Sequence, residues 1–186
     1  MRAAALAILL LVAGPVQAGK LHLGADVSSL PCVEAGGAVF TDAAGRADAL
    51  TILARHDVDR VRIRLWHTPP DGRSGLEEAV ALAVRARDLG LGVLLDLHYS
   101  DTWADPGHQA PPAAWRGLAP EVLEDSVRIS TRDVLRRFAA AGAAPAWIQL
   151  GNEISAGLLW DTGRVDGAFD TPAQWDRLAA LLNAAV

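Results

Sequence analysis

An Asn–Glu pair closes an apolar segment late in the sequence and is the strongest candidate for catalytic chemistry. The segment reads Gln149-Leu150-Gly151-Asn152-Glu153. In parallel α/β barrels, catalytic acids lie at the carboxyl ends of buried strands, and this pattern places Glu153 there. A carboxyl group in such a place can act as a general acid or base. Hydrolysis of a glycosidic bond commonly uses two carboxyl groups, and Glu153 is the one convincing candidate in the sequence.

Polar side chains close three earlier apolar segments in the same way. Successive side chains of a strand point to opposite faces, so residues two apart share a face. If the apolar positions face helices, the alternate positions converge on one mouth: Asp26, Arg64, Asp96, His98 and Glu153. Because buried charges are costly unless paired, a cluster of mixed charge indicates a site. Arg60 and Arg62 lie near the start of their strand. For these two, solvent-exposed positions are as compatible with the pattern as positions in the site.

Four strand-then-helix units carry these positions. Short strands that alternate with helical patterns predict a parallel sheet in an α/β fold. The predicted strands are residues 21–26, 60–66, 92–98 and 146–151. The predicted helices are residues 46–56 and 76–89, one within 119–141, and one from 172 to the end. Long loops at 27–45, 99–118 and 154–170 follow the carboxyl ends of strands, where a barrel carries its active site.

Local signals predict where two of the helices begin. Ser74 is the predicted cap of the second helix, and Gly90 its stop. Thr171 is the predicted cap of the last helix, with Pro172 in its first turn and Gln174 completing a capping box.

Composition and the amino terminus restrict the class of protein. The chain has 186 residues and a formal charge of −5, with no basic patch among aromatics, so we expect neither a nucleic-acid partner nor a second domain. Residues 1–18 have the basic start, apolar run and small-residue end of an export signal, which predicts secretion. No other segment suits a membrane span. The single cysteine, Cys32, predicts no internal disulfide.

Five blocks of the sequence together point to a known family. They are residues 24–30, 61–66, 94–107, 112–115 and 149–154. The longest reads Leu-Leu-Asp-Leu-His-Tyr-Ser-Asp-Thr-Trp-Ala-Asp-Pro-Gly and is highly specific, whereas the Asn–Glu pair alone occurs across a whole clan of barrel glycosidases. In content and order these blocks resemble glycoside hydrolase family 53, whose members are endo-β-1,4-galactanases that act on type I arabinogalactan.

The resemblance implies a (β/α)8 TIM barrel, retention of anomeric configuration and no cofactor. It assigns Glu153 as the general acid/base and a Glu at the end of the seventh strand as the nucleophile. The sequence ends at Val186, after the fourth helix. We therefore expect residues 19–186 to form the amino-terminal half of the catalytic domain, its first four βα units, and to be inactive alone. The full-length enzyme is expected to be a monomer that binds β-1,4-galactan, and no residue pattern indicates a metal.

Other residues then receive roles as substrate contacts. Asn152 could hydrogen-bond the sugar 2-hydroxyl, although a turn residue closing the strand is an open alternative. Arg64 could orient the nucleophile and keep it ionised. His98 and Asp101 could bind hydroxyl groups, although His98 is also compatible with a core histidine. The candidates for stacking on sugar rings are Trp66, Trp103, Trp115 and Trp160.

Two other functions remain compatible with the sequence. A non-catalytic carbohydrate-binding half barrel would keep the exposed tryptophans and need no second Glu. An enzyme of the same clan that acts on a different β-glycan is the other, and the block at residues 94–107 argues against it.

Overall fold

The computed structural model describes residues 21–186, so the predicted export signal lies outside the described residues. The elements, in chain order, are β1 (Gly24–Asp26), α1 (Leu30–Ala35), β2 (Phe40–Asp42), β3 (Gly45–Ala47), α2 (Ala49–Arg55), β4 (Arg60–Leu65), α3 (Leu76–Asp88), β5 (Gly92–Leu97), α4 (Pro120–Ala140), β6 (Trp147–Leu150), β7 (Gly157–Leu158), β8 (Gly163–Arg164) and α5 (Pro172–Ala184). Single 3₁₀ turns cover Ala113–Trp115, Ile154–Ala156 and Gly167–Phe169.

A four-stranded parallel sheet in the order β1-β4-β5-β6 confirms the predicted α/β class. All four predicted strands form; β4, β5 and β6 are one or two residues shorter than predicted, and β1 is three residues shorter. The connections at the amino ends of the strands are short, whereas those after the carboxyl ends are long. In the described residues, β1 and β6 each pair with one neighbouring strand, so both outer edges of the sheet are open.

Alternation along β4 shows which face of the sheet is covered. Val61, Ile63 and Leu65 are at most 5% exposed, whereas the arginines between them are half-buried on the opposite face. The apolar side packs against helices, as the sequence predicts. On α3 the buried positions include the expected apolar face, Ala79, Leu82, Ala83 and Ala86. Phe138 of α4 and Leu181 of α5 extend this core and are fully buried.

The first predicted helix and loop are wrong in detail. The predicted helix at 46–56 begins at Ala49, because Arg46 belongs to the β2–β3 hairpin, and Asp48 caps the helix by accepting hydrogen bonds from Leu50 N and Thr51 N. The predicted loop at 27–45 contains α1 and part of that hairpin. The pairing of β2 with β3 therefore takes the place of the first turn of the predicted helix.

The two predicted caps have different outcomes. Thr171 caps α5 and accepts a hydrogen bond from Gln174 N, as predicted. The side chain of Gln174 does not complete the box; it donates to the carbonyl oxygens of Asp161 and Arg164 and ties the preceding loop to the helix. Ser74 is not the cap of α3, since Gly75 holds that position. The search for helices long and apolar enough to cross a membrane found none in residues 21–186.

Candidate active site

Strand register brings the polar positions together in rows across one face of the sheet. Asp26 lies beside Arg62, and in the next row Arg64, Asp96 and Gln149 are neighbours on β4, β5 and β6. Because the strands are parallel, all of these side chains approach the same carboxyl edge. The sheet thus gathers both signs of charge at the mouth that the sequence predicts.

Arg62 is the centre of this cluster. Its Nη1 donates to Asp26 Oδ2 at 2.5 Å, and its Nη2 donates to Asp96 Oδ2 at 2.5 Å and to Asn152 Oδ1 at 2.9 Å. Its Nε donates to Gln149 Oε1 at 3.2 Å. One guanidinium therefore connects all four strands of the sheet. Planar, fixed donors suit arginine to this kind of multidentate contact.

Asp96 and His98 form a buried pair beside Arg62. Both side chains are 0% exposed, and His98 Nε2 lies 2.8 Å from Asp96 Oδ2. His98 Nδ1 accepts hydrogen bonds from Trp66 Nε1 and Ala104 N, each at 3.3 Å, so the ring proton lies on Nε2. Asp96 Oδ1 is buried without a hydrogen-bond partner among residues 21–186. Both nitrogens of His98 are used inside the protein, which matches the core-histidine alternative.

Asn152 and Glu153 lie directly after β6 and differ in exposure. Asn152 is 4% exposed; its amide accepts from Arg62 and donates through Nδ2 to Ala104 O at 2.7 Å. Glu153 is exposed, and its backbone is left-handed with φ of 50°. Such a conformation is uncommon for residues other than glycine and is frequent at functional sites. The fixed amide thus presents the next residue, which has an exposed carboxyl side chain, at the carboxyl edge of the sheet.

Arg64 lies among aromatic rings rather than carboxylates. Its Cζ is 4.6 Å from the Trp66 ring centroid and 5.2 Å from that of Trp103. Its Nε and Nη2 donate to Ser74 Oγ at 3.2 and 3.0 Å. Burial lowers the pKa of Arg64, and the nearby charges of Asp26 and Asp96 oppose that effect. Trp103 remains 45% exposed beside this group.

Asp101 and Trp115 lie under the loops of the mouth. Asp101 accepts from Thr68 N at 2.9 Å and from Ala113 N at 2.8 Å, so it joins two loops. Trp115 is 7% exposed and its ring centroid is 4.6 Å from that of His67. Burial lowers the pKa of His67, although the charge of Asp101 acts in the opposite direction. These contacts hold the loops in place and leave little of the Trp115 ring face accessible.

Burial and hydrogen bonds compete at Asp26. Burial by itself would raise the pKa of this carboxyl group, but hydrogen bonds from Ser28 and Arg62 outweigh it, so the pKa is lowered. The ionised form is therefore favoured, and it balances the charge of Arg62. Ser28 N donates to Asp26 Oδ1 at 2.9 Å, which fixes the turn after β1.

The sequence missed the residue that organises the site. Arg62 has the same parity as Arg64, but its position near the strand start left it undecided, and the register with β1 and β5 is what places it between two carboxylates. Gln149 and Ser74 were also missed as partners of the two arginines. For Arg62 and Gln149 the available signal was the strand parity alone. In residues 21–186 no group of three or more His, Cys, Asp or Glu side chains is placed to hold a metal ion.

A parallel α/β sheet whose carboxyl edge carries an ionic cluster, a buried Asn152 and an exposed Glu153 defines a glycosidase-like protein. The family profile named glycosyl hydrolase family 53 matches residues 22–186, and the chain belongs to that family. The resemblance of the sequence blocks is thereby confirmed.

The relatives are known proteins of about twice this length. A protein of Niallia circulans named "Uncharacterized protein in bgaB 5'region" is 45% identical over 163 residues, which cover 87% of this chain and 44% of that protein. The arabinogalactan endo-beta-1,4-galactanase of Thermothelomyces thermophilus is 41% identical over 165 residues, 88% of this chain and 47% of that protein. The chain therefore spans about half the length of these relatives.

Solved structures agree with the sequence comparison. A chain from a study of two fungal beta-1,4-galactanases superposes with a TM-score of 0.81 at 39% identity, over 88% of this chain and 47% of that one. The GH53 catalytic domain of Ignisphaera aggregans superposes with a TM-score of 0.81 at 34% identity, over 92% of this chain and 49% of that domain.

Proposed function

We propose that this chain forms the acid/base half of an endo-β-1,4-galactanase that cleaves galactan of type I arabinogalactan. The observation that carries the proposal is the exposed carboxyl of Glu153, just beyond the end of the outer strand β6 and beside an amide that Arg62 holds. Relatives that bear the galactanase name support the substrate. The four parallel strand–helix units would be the first half of a (β/α)8 barrel, with β1 and β6 as the edges that meet the other half.

In this mechanism Glu153 acts twice. As an acid it gives its proton to the glycosidic oxygen while a second carboxylate attacks the anomeric carbon, so the C–O bond to the leaving sugar breaks as a glycosyl–enzyme bond forms. As a base it then takes a proton from the water that hydrolyses this intermediate, which gives net retention. The second carboxylate would come from the half that the relatives have and this chain does not span.

The other predicted contacts fit this reaction to different degrees. Among residues 21–186 the Asn152 amide has one Nδ2 hydrogen without an acceptor, and we assign it to the sugar 2-hydroxyl. Trp103 offers the most exposed ring of the predicted tryptophans at the mouth. His98, Asp101 and Trp115 would act indirectly by holding Trp66 and the loops. Secretion and a monomeric full-length enzyme stay predictions.

The test replaces the matching half of the Thermothelomyces thermophilus galactanase with residues 21–186. We expect this chimera to release reducing ends from β-1,4-galactan with retained configuration, and Glu153→Gln to lower kcat by roughly 100-fold or more, because general acid catalysis is lost. Glu121→Gln is the matched control, since Glu121 is an exposed carboxyl on α4. We expect no product from the chain by itself.

Two results would contradict the proposal. Full activity of the Glu153→Gln chimera would remove Glu153 from the mechanism. A chimera that leaves galactan intact but cleaves another β-glycan would keep the acid/base role and refute the substrate.

A further inference from the structure

Two tryptophans and an arginine form a stack at the mouth that the galactanase mechanism leaves unexplained. The guanidinium of Arg64 lies 4.6 Å from the Trp66 ring and 5.2 Å from the Trp103 ring, both within the range of cation–π attraction. In the described residues Arg64 makes no ion pair within 4 Å, and its guanidinium contacts the two rings and Ser74.

The base of this stack is held by hydrogen bonds. Trp66 Nε1 donates to His98 Nδ1 at 3.3 Å, and His98 in turn donates to the buried Asp96 at 2.8 Å. Ser74 Oγ accepts two hydrogen bonds from the guanidinium and fixes its plane. The left-handed backbone of Ser74, with φ of 53°, places that hydroxyl just before α3.

The outer end of the stack faces solvent. Trp103 is 45% exposed, and its described ring contacts are Arg64 and the edge of His98, whose centroid is 5.4 Å away. A half-exposed indole with ordered contacts beneath it loses little conformational entropy when a flat apolar face binds. Sugar rings present such faces to aromatic side chains.

We propose that Arg64 is a positioning residue that holds Trp103 as a stacking platform for a β-linked galactosyl unit. This inference rests on the proposed function for its ligand, but the positioning of Trp103 stands on the contacts alone. It assigns Arg64 a different role from orienting a nucleophile. Lysine at this position would keep the charge and lose the planar contact with both rings.

The test uses the chain with β-1,4-galactotetraose as the probe. The Arg64→Lys variant should move the Trp103 indole N–H signal in NMR spectra and weaken binding of the tetraose by roughly three- to thirty-fold. Trp103→Ala should weaken binding at least as much, and the double variant no further, because both act through one ring. Arg60→Lys is the matched control. Arg60 lies at the other end of β4 from Arg64, and its Cζ is 4.9 Å from the Trp147 ring. This variant should leave the Trp103 signal and the affinity unchanged.

Results other than those expected would also decide whether Arg64 positions Trp103. An unmoved Trp103 signal in Arg64→Lys, or unchanged affinity where Trp103→Ala loses it, would overturn the positioning role. Binding of cellotetraose instead of galactotetraose, with the same coupling, would support that role and refute the galactan substrate. Binding of neither sugar would overturn the platform. Should Arg64→Lys not fold, Ser74→Ala removes only the anchor of the guanidinium and should give a smaller effect in the same direction.

Discussion

At the scale of single residues, the site depends on one cation, Arg62, that pairs with two carboxylates, Asp26 and Asp96. Arg62 is 23% exposed at its side chain, whereas its partner Asp96 is fully buried. A buried carboxylate that loses its cation keeps the cost of desolvation without the attraction that offset it. Arg62 therefore stabilises the fold and also sets the orientation of Asn152, one residue before Glu153.

Substitution of Arg62 by Met should lower the free energy of unfolding by about 3 to 5 kcal/mol, because Asp96 is left buried with only His98 beside it. Urea unfolding of the chain followed by circular dichroism measures this loss. Arg136→Met is the control: Arg136 is 70% exposed and lies 3.7 Å from Asp133, so its effect should stay within about 0.5 kcal/mol. Equal effects of the two variants would contradict the central role of Arg62.

Tyr99 gives a pH-dependent test at the same scale. Burial raises its pKa to about 12, although the hydrogen bond with Thr131 opposes part of that shift. The unfolded chain would lose this proton near pH 10, so between about pH 10 and 12 the folded state holds more protons. The free energy of unfolding should therefore fall as pH rises through this window, and Tyr99→Phe should remove that part of the fall.

Tyr99 is the only tyrosine of the sequence, so the ultraviolet absorbance of tyrosinate reports it alone. A native-state titration near pH 10 instead of about 12 would show that the ring is not buried as described.

At the scale of elements, capping decides where helices begin and how loops attach to them. Thr171 satisfies Gln174 N at the start of α5, which leaves the Gln174 side chain to bind two loop carbonyls. Asp48 caps α2 and also accepts from Arg85 of α3 at 2.5 Å. The cap of α2 thus connects that helix to α3, whereas at α5 the side chain of Gln174 connects the helix to the preceding loop.

Thr171→Ala should lower the free energy of unfolding by about 1 kcal/mol, because Gln174 N at the start of α5 loses the side-chain acceptor of its cap and keeps only the Thr171 carbonyl oxygen. Thr171→Ser keeps the hydroxyl and should recover most of that loss. Thermal unfolding of the three proteins in parallel gives the comparison. A Ser variant as unstable as the Ala variant would show that the methyl group, and not the cap, matters.

At the scale of the whole molecule, the sheet exposes two edges and one polar face. β1 and β6 each have one strand partner in the described residues, and Ile148 of β6 is 41% exposed. Open edges pair readily with other strands. In the proposed barrel the edges of β1 and β6 would pair with strands of the second half. The same two edges can also pair with other copies of the chain, which leads to aggregation.

Ile148→Lys should reduce the self-association of the chain, because a lysine near a strand edge opposes pairing with another copy. Light scattering at increasing concentration compares it with the wild type, and Ile148→Val serves as the control. The same substitution should lower the activity of the galactanase chimera, where the edge is needed. Unchanged scattering would show that this edge is not the associating surface.

Sequence alone determined the strand–helix alternation, the helix faces and the family, because these follow from apolar periodicity and from motifs that are local in the chain. It also placed Glu153 at a strand end, because the sequence shows where the apolar segment stops and polar residues begin. Tertiary structure alone decided the partners: register, not spacing, puts Arg62 between Asp26 and Asp96 and puts Arg64 between two indoles. Contacts between distant strands depend on how those strands align, and alignment is a property of the folded sheet.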